Sequence, residues 1–157
     1  MRLDALPLGD VPRGLGTPSL YCLVGEDDVP VMRIDVYGDP GAFTEAQIWH
    51  NWVIIGFADR VHFVSLETRQ HQSHPLSGYF GHLYPLQDRL LVASASDLLC
   101  FDAQAQLQWI SEHLGIDGVV ITRVEDTIIY GEGEWDPPGG WRPFQLALCT
   151  GHILTEE

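Results

Sequence analysis

The chain has 157 residues, 45% hydrophobic and 10% aromatic, which excludes a disordered tail and suits one folded domain with a substantial core. Its 22 Asp and Glu stand against 8 basic residues, all of them Arg, for a formal net charge of −14. That balance argues against nucleic acid as a direct ligand, because phosphate binding needs a basic footprint, and it favours solubility or a basic partner.

In chain order, residues 1–18 read as an irregular lead-in, with Pro7, Pro12 and Pro18 set among glycines. Asp4, Pro7, Asp10 and Pro12 interrupt the apolar run that an export signal needs. Nowhere does the chain approach the roughly 20 apolar residues of a membrane span. A cytoplasmic protein without membrane association is therefore expected. Residues 20–24 and 31–37 predict two strands around the acidic turn Glu26, Asp27, Asp28. Asp39 and Pro40 then break the chain, 42–47 suits one helical turn, and 48–57 reads as a strand carrying Trp49 and Trp52. The run 70–81 reads as a polar loop ending in aromatics. Residues 83–86 lead into the apolar runs 90–92 and 98–101, and Leu107 and Trp109 follow the turn after Asp102. Residues 110–115 suit a second helical turn ended by Gly115. Strands are expected over 119–124 and 127–130, divided by Glu125 and Asp126.

A repeat runs through this pattern. Two apolar runs separated by a small polar break, then a polar turn, occur near 53–73, 89–111 and 127–154. The openings Val53, Leu90 and Ile128 lie 37 and 38 residues apart, close to the roughly 40 residues of a propeller blade. The middle copy has Ser94, Ala95 and Asp97 before Leu98, then Phe101 and Asp102, a turn, and Trp109. It resembles the repeat of quinoprotein-like (PQQ-type) β-propellers, with two strands, an "LD" pair, a Thr-Gly turn and a closing strand ending in Trp. The middle copy has Gln104 and Ala105 at the turn and the first has Arg69; only Thr150 and Gly151 in the last restore the usual pair. The resemblance implies an all-β domain over 1–157, a small or incomplete β-propeller built of short antiparallel meanders, with a degenerate fourth blade from 20–57. A β-sandwich is the alternative. No cofactor-binding or catalytic residue carries over, so no cofactor is expected.

The most distinctive chemistry is in the stretch 131–144, GEGEWDPPGGWRPF. Its prolines and glycines make a tight loop flanked by Trp135 and Trp141. Glu132, Glu134 and Asp136 alternate along one side with Arg142 opposite. Such a loop can offer aromatic planes and carboxylates to a ligand, or fold back over the sheet edge with Arg142 paired locally. Glu132 and Glu134 also invite a glycosidase reading, but alternating acids are common on solvated strands. Cys22, Cys100 and Cys149 read as small buried hydrophobes of a reducing compartment. His50, His62, His71, His74 and His82 lack zinc-site spacing, so no metal is expected. No motif for a nucleophile, a phosphate loop or a metalloprotease is present.

Two functional expectations follow. The first is a non-catalytic acidic module that binds a protein, by analogy an immunity or inhibitor protein of bacterial type that caps a basic toxin such as a nuclease. The second is a carbohydrate-binding or carbohydrate-processing protein that stacks sugars on Trp135 and Trp141, with Glu132, Glu134 and Asp136 as acceptors or catalysts. Self-association is left open by the sequence.

Overall fold

The computed structural model of the chain describes residues 4–154, so the first three residues of the expected lead-in lie outside it. The described residues form fourteen strands and no helix. This is the expected all-β class, built of small, largely antiparallel sheets. The chain divides into two compact units, Met1–Pro40 and Gly41–Glu157.

In the first unit, β1 (Ala5–Gly9), β2 (Leu20–Glu26) and β3 (Val29–Tyr37) form one sheet in the order β1-β3-β2. The β2–β3 hairpin turns on Asp27 and Asp28, both at positive φ, which matches the right-handed twist of the flanking strands. Val24, Met32, Ile34 and Val36 are buried on one face. On the other, Arg33 donates to Asp35 at 2.8 Å and lies 4.7 Å from the centre of the Tyr21 ring. The lead-in is thus not wholly irregular. β1 pairs in parallel with β3 and buries Leu8, a non-local pairing that leaves no hairpin signal in the sequence.

The second unit is three meanders in succession. The first contains β4 (Glu45–Trp49), β5 (Trp52–Phe57), β6 (Arg60–Ser65) and β7 (His71–Pro75), paired in that order. The second contains β8 (Phe80–Pro85), β9 (Arg89–Ser94), β10 (Leu98–Asp102) and β11 (Leu107–Ile110), again in order. The third contains β12 (Val119–Glu125), β13 (Ile128–Glu134) and β14 (Trp141–Ala147). Residues 152–154 begin a fourth strand beside β14, where Ile153 bridges Leu146 and the Leu154 amide donates to the Gln145 carbonyl at 2.8 Å. The repeats read at 53–73, 89–111 and 127–154 are the second, third and fourth strands of these meanders.

The middle sheet explains why its sequence reads as unbroken apolar runs. Strand side chains alternate between faces, and here both faces are covered. Leu90, Val92, Leu99 and Phe101 pack with Ile54, Val61 and Phe63 of the first sheet. Leu91, Ala93, Leu98 and Cys100 pack with Val119, Ile121, Ile129 and Leu146 of the third. Phe63 and Phe101 meet with ring centres 4.8 Å apart, and both are fully buried. Each such side chain contributes roughly 2–3 kcal/mol on burial.

The repeat is also visible in bonds between sheets. The Phe80 amide donates to the Ala58 carbonyl at 2.7 Å, and the Gly118 amide does the same to the Ala95 carbonyl at 2.8 Å. Trp109 donates through Nε1 to the Leu148 carbonyl at 2.9 Å, and its counterpart Gln72 donates to the Ala105 carbonyl. Arg69, Ala105 and Gly151 hold positive φ at matching turns, at 62°, 60° and 73°. Asp102 fixes the middle turn by accepting the Gln104 and Gln106 amides at 2.9 and 3.0 Å.

Several local expectations are corrected. Residues 42–47 hold no helical turn; β4 pairs with β5 across His50 and Asn51, with His50 at positive φ, so 48–57 is two strands rather than one. Residues 110–115 are not helical because their backbone is committed elsewhere, the Leu114 amide donating to the Ser96 carbonyl at 2.7 Å. The polar run 70–81 contains edge strand β7, held by its ladder to β6. Cys149 is exposed and Cys22 half-buried, so only Cys100 fits the reading of a buried hydrophobe; burial pushes its thiol up to about 11.

Candidate functional site

The stretch 131–144 is the β13–β14 hairpin. Its tip closes where the Trp135 amide donates to the Gly140 carbonyl at 3.2 Å. The hairpin is pinned to the segment linking the second and third sheets. Ile116 donates to the Glu134 carbonyl at 2.7 Å, and the Glu134 amide donates to the Gly118 carbonyl at 2.9 Å. This docking needs Gly133, since a Cβ there would stand 1.7 Å from the Leu114 carbonyl oxygen.

Register divides the candidate residues between two faces. Glu134 lies directly across from Trp141 and Glu132 from Pro143, so Glu132, Glu134 and Trp141 share the outer face of the third sheet. Arg142 pairs with Gly133 and points the other way. There it lines a cleft with Trp135, Phe144 and His113. Asp136 is exposed at the loop tip and Trp135 is half-buried. The hairpin therefore gathers Trp141 with Glu132 and Glu134, gathers Trp135 with Arg142, and keeps the two tryptophans apart.

The outer-face group continues beyond the hairpin. The Trp141 ring lies over Gly118, its Cη2 atom 3.0 Å from where a Cβ would be. Beside it, the Tyr79 hydroxyl sits 2.8 Å from the Asp117 carbonyl oxygen and 2.9 Å from Asp117 Oδ1. Burial, the bond to Asp117 and the charge of Glu134 push this phenol up to about 12, so it stays a donor. Phe43 packs on Tyr79 with ring centres 6.4 Å apart. Trp141 is 42% exposed and Phe43 55% exposed, so both present aromatic surface to solvent. Asp117, Glu132, Glu134 and Asp136 lie at this end of the third sheet, while Arg123 lies 3.5 Å from Glu125 toward its other end.

Phe43, Tyr79 and Asp117 escape a reading that begins each repeat at its second strand. Their signal is positional, because each stands just before the first strand of one sheet. The spacing of 36 and 38 residues follows the repeat.

Among the described residues no group of three or more His, Cys, Asp or Glu is placed to hold a metal ion. Among those residues, too, no helix is long and apolar enough to cross a membrane. No known family model matches this chain, and no curated protein matches it.

Proposed function

We propose that this chain is a non-catalytic acidic protein-binding module, an immunity or inhibitor protein that caps a basic partner. The observation that carries the reading is the exposed Trp141 indole, paired with Glu134 across the hairpin and lying over Gly118, next in the chain to the Asp117 that holds Tyr79. A rigid aromatic in the centre of a polar rim is the usual form of an interface hot spot. An arginine or lysine from a partner gains from the indole face and from the carboxylates together. The net charge of −14 steers such a partner toward the surface.

A second reading has its own support. Trp141 with Glu132 and Glu134 on one face provides a flat apolar plane beside hydrogen-bond acceptors, which suits a sugar ring. The two readings separate by salt. Binding of a basic protein weakens steeply as ionic strength rises, whereas stacking of a neutral sugar barely responds. Affinity capture on the immobilised chain at low and high salt, beside a screen of neutral oligosaccharides, tests them. Salt-sensitive capture of one basic protein supports the first, and salt-independent glycan binding overturns it in favour of the second.

A further inference from the structure

The opposite side of the hairpin carries a different chemistry. A cleft of about 390 Å³ lies along the β14 edge, where Ile153 and Leu154 pair with it. Its volume falls in the range of small-molecule sites. Trp135, Phe144, Leu114, Ile153 and Leu154 give it apolar walls, and its polar lining is His113, Arg142 and Gln145.

The cleft follows from the sequence. Gly131 and Gly133 have no side chains on this face, so Phe144 folds over the first and the Leu114 backbone over the second. The space left between β14 and residues 113–114 stays open.

Among the described residues no acidic side chain lines this cleft. Arg33, Arg60 and Arg123 each pair with a neighbouring carboxylate, at Asp35, Asp59 and Glu125, whereas Arg142 is in no such pair among the described residues. A planar guanidinium at the mouth of an aromatic-walled cleft matches a carboxylate, which it can hold by two parallel hydrogen bonds. We infer that this cleft binds an aromatic carboxylate, its ring against Trp135 and Phe144 and its carboxylate on Arg142. This site is separate from the Trp141 face and does not depend on the function proposed for that face.

Two sources share this chemistry, a free aromatic acid and the C-terminal aromatic residue of a peptide. The test titrates the full chain with indole-3-acetate, with its uncharged amide, and with N-acetyl-Gly-Phe as free acid and as amide. Tryptophan fluorescence and two-dimensional amide NMR are the readouts. The expected result is saturable binding of at least one acid, weakened about tenfold in the matching amide and in Arg142→Gln. Arg142→Lys keeps part of the affinity, Trp135→Ala loses it, and Trp141→Ala leaves it unchanged. Preference for indole-3-acetate identifies a small-molecule site, and preference for N-acetyl-Gly-Phe a peptide terminus. Acid and amide binding alike, no saturable binding of either acid, or an unchanged affinity in Arg142→Gln with native amide spectra would each overturn the inference.

Discussion

Glu45 and His82, 37 positions apart in the chain, perform the same task in successive sheets. Glu45 Oε1 accepts the Leu83 amide hydrogen at 3.3 Å, and His82 Nε2 accepts the Ile121 amide hydrogen at 3.2 Å. Each side chain joins the first strand of its sheet to the first strand of the next. Burial lowers the His82 pKa, which keeps the ring neutral and able to accept.

Removing that acceptor has a definite cost. His82→Leu leaves the Ile121 amide without its partner, and the expected loss is about 1–3 kcal/mol of stability. His82→Gln, which retains an acceptor, recovers part of it. Urea unfolding of the three proteins checks this, and equal stability of the Leu variant and the parent would show that the bond contributes nothing.

His62 should make stability depend on pH. It is 1% exposed, lies 2.6 Å from the Ser73 hydroxyl through Nδ1, and burial lowers its pKa from 6.5 to about 4. The sign follows from proton binding. Above pH 6.5 neither folded nor unfolded chain protonates this ring, so its full contribution is present. Between 6.5 and about 4 the unfolded chain takes up the proton and the folded chain resists it, so stability falls as pH falls. The total loss is of the order of 3 kcal/mol. Chemical unfolding at pH 7 and pH 4.5 should show a smaller fall for His62→Gln than for the parent, the difference isolating this residue from the carboxylates.

Trp109 and Gly151 fix the turn that closes the third meander. The Trp109 ring covers Gly151 so closely that a Cβ would lie 2.3 Å from its Cε3 atom, and Gly151 has φ of +73°. Gly151→Ala therefore meets both backbone strain and a clash with a buried ring. Its expected cost is roughly 2–4 kcal/mol. A thermal melt and the chemical shift of the Trp109 indole N–H report it, and an unaltered melting temperature contradicts the packing described.

How much of this was legible in the chain depends on which strand is considered. β9 and β10 announce themselves because the middle sheet is buried on both faces, so every position from Leu90 to Ala93 is apolar. β7 does not, since HQSHP is a polar edge strand that exists through its ladder to β6. β4 was masked by residues that also suit a helix. β1 was masked because its partner lies more than twenty residues away, across the β2–β3 hairpin. At the candidate site, the prolines and glycines of 131–144 signal a tight loop, but only 135–140 turn, and the rest continues β13 and β14 as a paired hairpin. Pairing register is what parts Trp135 from Trp141, and it depends on how β13 meets β14. The contributions of Tyr79 and Asp117 arise only when neighbouring sheets meet.

The central claim is that the Trp141 face, rather than acidity spread over the whole surface, recognises a basic partner. The most direct measurement is affinity capture from a lysate of the source at about 0.05 M and about 0.5 M salt, with the parent chain, Trp141→Ala, Glu134→Gln and Trp135→Ala compared side by side. The expected result is one stoichiometric basic protein held by the parent and by Trp135→Ala at low salt. It should be lost with Trp141→Ala, weakened about tenfold with Glu134→Gln, and released at high salt. Retention by Trp141→Ala, or no basic protein captured by the parent at low salt, contradicts the claim.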